Sequence, residues 1–307
     1  MQFAKFAAVA VVGFAALVGG AHAERLTDAP LVDAAWLQDH LGNESLVVLD
    51  VRDAVENVLP YTTAHIPGAI SAPYGTAGWR QEVQGVPAQF PGADVAAKLI
   101  GDLGISNDKH VVIVSQGTNS SEFGAATRVY WTFKVLGHDA VSILNGGARA
   151  WDAAGGEVTE VATTLEPAQF TANFQQQLLA TTADVEAAIA NGTKLVDGRP
   201  VAQYRGEGKS PVVRVPGTIP GAVNIDNGQL YSADNATFVS ADTVANLASG
   251  VGLGADEANI AFCNTGHWAS IVWFGLSEVQ GNKNTRMYDG SMAEWAADES
   301  RPVVNGL

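Results

Sequence analysis

The chain contains one cysteine, Cys263, in the run Phe262-Cys263-Asn264-Thr265-Gly266-His267-Trp268-Ala269-Ser270. The largely apolar run Asn259-Ile260-Ala261-Phe262 leads into it and reads as a buried strand. A helical pattern, Trp268 to Val279, leads away. The thiol is therefore expected in a tight turn between a strand end and a helix start. Main-chain N–H groups at such a turn lack helical partners and carry partial positive charge. They favour an anionic sulfur, and an ionised thiol is the side chain best suited to attack another sulfur. Inward N–H groups of Asn264, Thr265, Gly266, His267 and Trp268 are expected to form a small nest around that sulfur, at the mouth of the C-terminal half. Gly266 suits a position of positive φ or one without room for a Cβ. Thr265 either donates its hydroxyl inward or caps the helix. His267 is either a first-turn surface residue or a weak cation beside the site. Trp268 forms an apolar wall or anchors the helix.

An anionic thiolate meeting an anionic substrate needs neighbouring cations, since a unit charge pair at 4 Å costs about 4 kcal/mol at an effective dielectric near 20. The chain is acidic, with 32 Asp and Glu against 17 Lys and Arg and a net charge of −15. That balance argues against nucleic acid or anionic membrane as a partner. Arg205, Lys209 and Arg214 stand together in a Gly- and Pro-rich loop. They either bind substrate or are solvated charges on the surface. One cysteine and scattered histidines provide no metal-ligand spacing, and the chemistry requires no cofactor.

The elements that must hold this loop occur twice. Leu46-Val47-Val48-Leu49-Asp50-Val51-Arg52 returns as Lys194-Leu195-Val196-Asp197-Gly198-Arg199. Ile66-Pro67-Gly68-Ala69 returns as Ile219-Pro220-Gly221-Ala222. The strand before Ser115 matches the strand before Cys263, and Asn145-Gly146-Gly147…Trp151 matches Asp289-Gly290-Ser291…Trp295. Four blocks recurring in order, about 150 residues apart, indicate a duplicated domain. Strands are expected at 46–51, 111–114 and 141–144, and again at 195–197, 259–262 and 285–288. Helical patterns cover 33–41, 92–101, 124–136, 182–190, 242–249 and 268–279. Such alternation predicts an α/β fold, each copy a mainly parallel sheet flanked by helices. The expected division is 24–158 for the first domain, 159–180 for a linker and 181–307 for the second. Arg52 and Arg199, each in Asp-x-Arg, are expected to form structural ion pairs.

Residues 1–23 read as a secretory signal: Lys5, the apolar run Ala7 to Val18, and Ala21-His22-Ala23 as the cleavage site. The expectation is an exported, periplasmic or secreted protein with no stable membrane association after cleavage. A lone thiol there cannot form an internal disulfide and is a reactive group, an intermolecular partner or a buried, inert cysteine.

The Asp-x-Arg strand ends, the Ile-Pro-Gly-Ala turns, the strand–Cys263–loop–helix and the closing Tyr288-Asp289-Gly290-Ser291 with Trp295 resemble the rhodanese family. The tandem arrangement resembles thiosulfate and 3-mercaptopyruvate sulfurtransferases over almost all of the mature chain. The resemblance implies an inactive N-terminal copy, with Ser115 in the nucleophile's place, and a catalytic C-terminal copy. It implies a persulfide on Cys263, a small-molecule sulfur donor and a thiophilic acceptor such as cyanide or a thiol. A thiol reductant or a sulfur-acceptor protein is a further partner. This chain departs from the family's loops in having Asn264 and Thr265 after the cysteine and Gln203 where an arginine often precedes the tyrosine, here Tyr204. The preference between thiosulfate and 3-mercaptopyruvate is left open by that departure. A non-enzymatic sulfur carrier would use the same loop. A cysteine-dependent phosphatase is disfavoured because Ala269 stands where its phosphate-clamping arginine would be.

Overall fold

The structure, a computed structural model, describes residues 25–54, 60–232 and 234–305. The expected signal segment lies outside these residues.

The first half contains β1 (Leu31–Val32), β2 (Leu46–Asp50), β3 (Ile70–Ser71), the hairpin β4 (Gln81–Val83) and β5 (Val86–Gln89), β6 (His110–Val114) and β7 (Val141–Leu144). Its helices are α1 (Ala34–His40), α2 (Ala93–Asp102), α3 (Ser120–Val135) and α4 (Gly147–Ala153). The second half contains β8 (Leu179–Ala180), β9 (Lys194–Asp197), β10 (Val223–Asn224), the pair β11 (Tyr231–Ser232) and β12 (Thr237–Phe238), β13 (Asn259–Phe262) and β14 (Thr285–Tyr288). Its helices are α5 (Thr182–Asn191), α6 (Val201–Tyr204), α7 (Ala241–Gly250), α8 (His267–Trp273) and α9 (Ser291–Trp295). A π-helical stretch, Phe274–Val279, continues α8.

Two five-stranded sheets result, ordered β1-β7-β6-β2-β3 and β8-β14-β13-β9-β10. Every pairing within them is parallel. The strand order is the same in both copies. Central strands β6 and β13 are buried along their whole length, which is why they read as unbroken apolar runs rather than as alternating ones. The residue following each, Ser115 or Cys263, sits at the C-terminal edge of its sheet, where open α/β sheets place their ligands.

Two differences from the sequence expectation bear on the site. Helix α3 begins at Ser120, ahead of the apolar pattern, because Asn119 accepts the Glu122 N–H at 3.0 Å and caps the helix. The segment expected as linker supplies β8, the edge strand of the second sheet.

The two halves pack through α3 and α8. Of the sixteen residues of α3, eleven are buried. Thr127 Oγ1 meets Ser270 Oγ at 2.7 Å, and the Tyr130 hydroxyl donates to Glu278 at 2.9 Å. The helices approach so closely at Gly124 that a Cβ there would lie 2.8 Å from His267 Nε2. One hydrophobic cluster runs through this contact and joins residues of both sheets.

Candidate active site at the domain interface

Strand β13 ends at Phe262 and the chain turns at Cys263, whose side chain is 1% exposed. The expectation of a thiol at an open mouth is therefore corrected. The N-terminal half lies over the loop and buries it.

The loop is held from α9. Ser291 Oγ accepts the Cys263 N–H at 3.0 Å and the Gly266 N–H at 3.1 Å, and donates to Tyr288 O at 2.9 Å. It stands 4.0 Å from Cys263 Sγ. The N–H groups of Met292 and Ala293 donate to the carbonyls of Cys263 and Asn264, at 3.0 and 2.9 Å. Ser291 adopts φ +51°, a left-handed conformation that costs a non-glycine residue about 1 kcal/mol or more. The strain turns its hydroxyl into the loop. Two of the loop's amides are thus committed to Ser291 rather than to sulfur, which revises the expected nest. The N–H groups of Asn264, Thr265, His267 and Trp268 have no acceptor among the described residues.

Gly266 satisfies both expectations for it. Its φ is +77°, and a Cβ would lie 2.1 Å from Arg128 Nη1 and 2.4 Å from Asp289 Oδ1. Arg128, from the middle of α3, thus lies directly against the Cys263 loop. Its side chain is fully buried and pairs with Asp289 Oδ1 at 2.5 Å, while the Phe90 N–H donates to Asp289 Oδ2 at 2.6 Å. The remaining guanidinium nitrogens, Nε and Nη2, have no hydrogen-bond partner among the described residues. Arg80, just before β4, lies over the Tyr74 ring at 4.1 Å. The two guanidinium groups near the loop, Arg128 and Arg80, both come from the opposite domain.

Tyr74 and His267 close the other side. His267 Nε2 lies 2.8 Å from Ser121 O, and a carbonyl only accepts, so the Nε2 proton is donated there. Nδ1 then accepts the Tyr74 hydroxyl at 2.9 Å. Burial, then the Arg80 charge, pushes the His267 pKa down to about 3. Burial pushes the Tyr74 hydroxyl up to about 12 against the pull of Arg80 and Arg128. Both side chains are neutral at neutral pH, so His267 is not the weak cation that the sequence allowed.

The other expected residues divide. Asn264 is buried, and its Nδ2 donates to Gln203 Oε1 at 2.9 Å, which brings α6 beside the loop. Thr265 does not cap: Gly266 is the N-cap of α8, without a side-chain bond. Trp268 is half-buried against the core, its Nε1 donating to Ser121 Oγ at 3.3 Å, which is an anchor. The basic loop is tied elsewhere. Lys209 donates to Val213 O at 2.8 Å, and Arg214 donates to Ala296 O at 2.6 Å. Arg205 is exposed beside Asn224 and Val251. No described contact joins these three to Cys263. Arg52 and Arg199 fold back on Asp50 and Asp197, each at 2.6 Å and buried, as structural pairs do.

Sequence reasoning missed Arg128, Arg80, Tyr74, Asp289 and Ser291 as parts of this site. The one available signal was Arg128 itself, a lone charge within Ala125-Ala126-Thr127-Arg128-Val129-Tyr130-Trp131. A charge in so apolar a helix must find a buried partner.

Comparison with known proteins agrees with this architecture. The model of the rhodanese-like domain matches residues 33–154 and again 181–298. A relative in Haloferax volcanii named "Putative thiosulfate sulfurtransferase" is 34% identical over 90% of this chain and 96% of its own. The sulfur carrier protein TtuD of Thermus thermophilus is 30% identical, with 90% and 96% covered. Among solved structures, SseA of Escherichia coli, described as a 3-mercaptopyruvate sulfotransferase, superposes with a TM-score of 0.75 at 26% identity, covering 86% of this chain and 98% of that one. With both halves matched, and with each half built on the same five-stranded order, the chain belongs to the rhodanese family as a tandem of two rhodanese-like domains.

Proposed function

We propose that the protein is an exported sulfurtransferase that carries a sulfane sulfur on Cys263. The Cys263 thiolate attacks the outer sulfur of thiosulfate, the S–S bond of the donor breaks, and sulfite leaves. Cys263 then carries a persulfide, Cys263–S–S⁻. An acceptor such as cyanide or a thiol attacks the terminal sulfur, and the thiolate is restored. With 3-mercaptopyruvate the bond broken is C–S: the thiolate takes the sulfur, and pyruvate leaves as its enolate, which takes up a proton. Neither half requires a metal or organic cofactor. Splitting the transfer in two predicts ping-pong kinetics.

One observation carries this reading: the sole thiol stands in a loop held by two hydrogen bonds to Ser291 and packed from the other domain by the buried Arg128–Asp289 pair. The free amides of Asn264, Thr265, His267 and Trp268 suit the terminal sulfur of a persulfide. Buried donors of this kind act without solvent reorganisation. The named relatives support thiosulfate or 3-mercaptopyruvate as the donor class. Export rests on residues 1–23 alone and is tested by cell fractionation and by whether the mature protein begins at Glu24.

Turnover with thiosulfate and cyanide tests the activity. Sulfite should appear in the first half-reaction and thiocyanate in the second, with 3-mercaptopyruvate compared in parallel. A second reading, that the protein hands its sulfur only to a partner protein, draws on the sulfur carrier among the relatives. A single stoichiometric loading with no turnover by any small acceptor would select it.

A further inference from the structure

The first copy of the domain keeps a cavity at the place that the thiol takes in the second. About 310 Å³ opens at the C-terminal edge of β2 and β6, bordered by Asp53, Tyr74, Ser115, Gln116, Glu122 and His267. None of its lining residues comes from the turn 263–266, so it is a compartment separate from the thiol. Its volume stands at the lower end of the roughly 300–1,000 Å³ of small-molecule sites.

Ser115 is 1% exposed, and its hydroxyl has no partner among the described residues; the buried Oε1 of Gln116 has none either. Folded proteins leave few buried polar atoms unpaired, and two of them beside one cavity call for a bound partner. The charges say of what kind. Asp53 Oδ1 accepts the Gly75 N–H at 2.8 Å, and Glu122 Oε2 accepts the Thr118 N–H at 2.9 Å, which leaves each carboxylate a second oxygen. Neither carboxylate is in an ion pair among the described residues. Arg52, also on the wall, is turned to Asp50 at 2.6 Å. The start of α3 would favour an anion, but Asn119 already accepts the Glu122 N–H at 3.0 Å. An anion is thus repelled, while a cation with several N–H donors is matched. Val51 and Ala125 offer an apolar wall to a short hydrocarbon body. His267, the first residue of α8, is the one lining residue from the second half, so an occupant touches both halves.

We propose that the cavity above Ser115 is a binding site for a small aliphatic amine, which binds there without reacting. Its ammonium is held by Asp53 and Glu122. Gln116 Oε1 and Ser115 Oγ accept the remaining N–H groups, and the methylenes lie against Val51 and Ala125. A ligand that binds the folded chain and not the unfolded one raises the melting temperature with its concentration.

Putrescine is the probe, because two carboxylates border the cavity, and 1,4-butanediol is its uncharged counterpart. Calorimetric titration should show saturable binding of putrescine and none of butanediol over the same range. Asp53→Asn and Glu122→Gln should each weaken putrescine about tenfold. Cys263→Ser should bind it as the wild type does, because the cavity is separate from the thiol. Ser115→Ala removes a buried hydroxyl that lacks a partner, so the free protein should melt no lower. Putrescine should nevertheless raise its melting temperature less than that of the wild type. The proposal is overturned by the absence of putrescine binding, which would leave only water as the partner of Ser115 and Gln116. Equal binding of butanediol, undiminished binding in both carboxylate variants, or a full wild-type shift in Ser115→Ala would overturn it as well. None of these measurements needs turnover, so they decide the cavity whatever becomes of the sulfurtransferase reading.

Discussion

The two copies of the domain share strand order, the turn at the end of the central strand and even the hydrogen bonds that close it. The Ala148 N–H donates to Ser115 O at 2.8 Å and the Arg149 N–H to Gln116 O at 3.1 Å, just as Met292 and Ala293 serve Cys263 and Asn264. They part at two successive positions at the starts of α4 and α9: Gly146 is left-handed (φ +85°), whereas Gly290 is helical (φ −60°). Gly147 (φ +58°) and Ser291 (φ +51°) have the same left-handed main chain. In the first copy the loop has settled onto the glycines: a Cβ on Gly147 would lie 2.1 Å from Ser115 O, and one on Gly117 would lie 1.9 Å from Gly146 O. In the second copy a serine fits there, and its hydroxyl gathers two loop amides. The comparison teaches that a thiol in place of Ser115 would not by itself restore a site. What distinguishes the copies is a loop held open by a hydroxyl, together with a guanidinium supplied from the other domain.

Breaking the cross-domain charge should have the largest effect. Arg128→Gln leaves Asp289 buried without its partner, which costs about 3–5 kcal/mol of stability. Denaturant unfolding should show that loss. Adding Asp289→Asn should recover much of the stability and none of the thiosulfate loading, because the cation beside the thiol is still missing. Recovery of both would make Arg128 a structural residue only.

Ser291→Gly separates geometry from strain. Glycine accepts the left-handed φ without penalty, which offsets part of the hydrogen bonds lost, so the melting temperature should fall less than in Ser291→Ala. Loss of two hydrogen bonds at about 1 kcal/mol each should slow loading about 30-fold. Ser291→Ala keeps the strain and loses the hydroxyl, and should be both slower and less stable. Equal loading rates in all three proteins would remove Ser291 from the account.

Ser115→Cys sharpens the comparison from the other side. Intact mass after thiosulfate treatment should show one added sulfur, as in the wild type, and not two. A second labile sulfur would mean that the collapsed loop suffices.

The smallest effect concerns acid stability. Burial holds His267 near 3 and His110 near 4, against an ordinary value of 6.5. Below pH 6.5 the unfolded chain takes up protons that the folded chain refuses. Stability is therefore fully present above 6.5 and falls as pH drops toward these folded values. His267→Gln should make that fall shallower between pH 6.5 and 4, with urea midpoints as the measure, while the remaining slope from His110 persists. An unchanged slope would contradict a neutral, half-buried His267.

Much of this molecule was legible in its sequence. Strands at 141–144 and 259–262 fall on the mostly apolar runs expected of strands buried on both faces, whereas the strand at 285–288 carries a half-buried Arg286 paired with Asp184 at 2.9 Å. The loop after Phe262 and the glycine at 266 were readable for the same local reason. What joins the halves was not. Arg128 meets Asp289 only after α3 has crossed α8, and no periodicity within either copy encodes that crossing. The basic loop at 205–214 drew attention because its charges are adjacent in sequence, whereas the cations near the thiol are adjacent only in space. Ser291 stood in a recognisable block, yet its role depends on a positive φ that residue type alone does not announce.

The central claim is that Cys263 alone carries the transferred sulfur. Intact mass spectrometry of the protein treated with thiosulfate, then with cyanide, measures it directly. The account predicts a gain of one sulfur atom on Cys263, its removal by cyanide as thiocyanate, and no gain in Cys263→Ser. Sulfur loading that survives in Cys263→Ser, or a wild type that never loads, would contradict it.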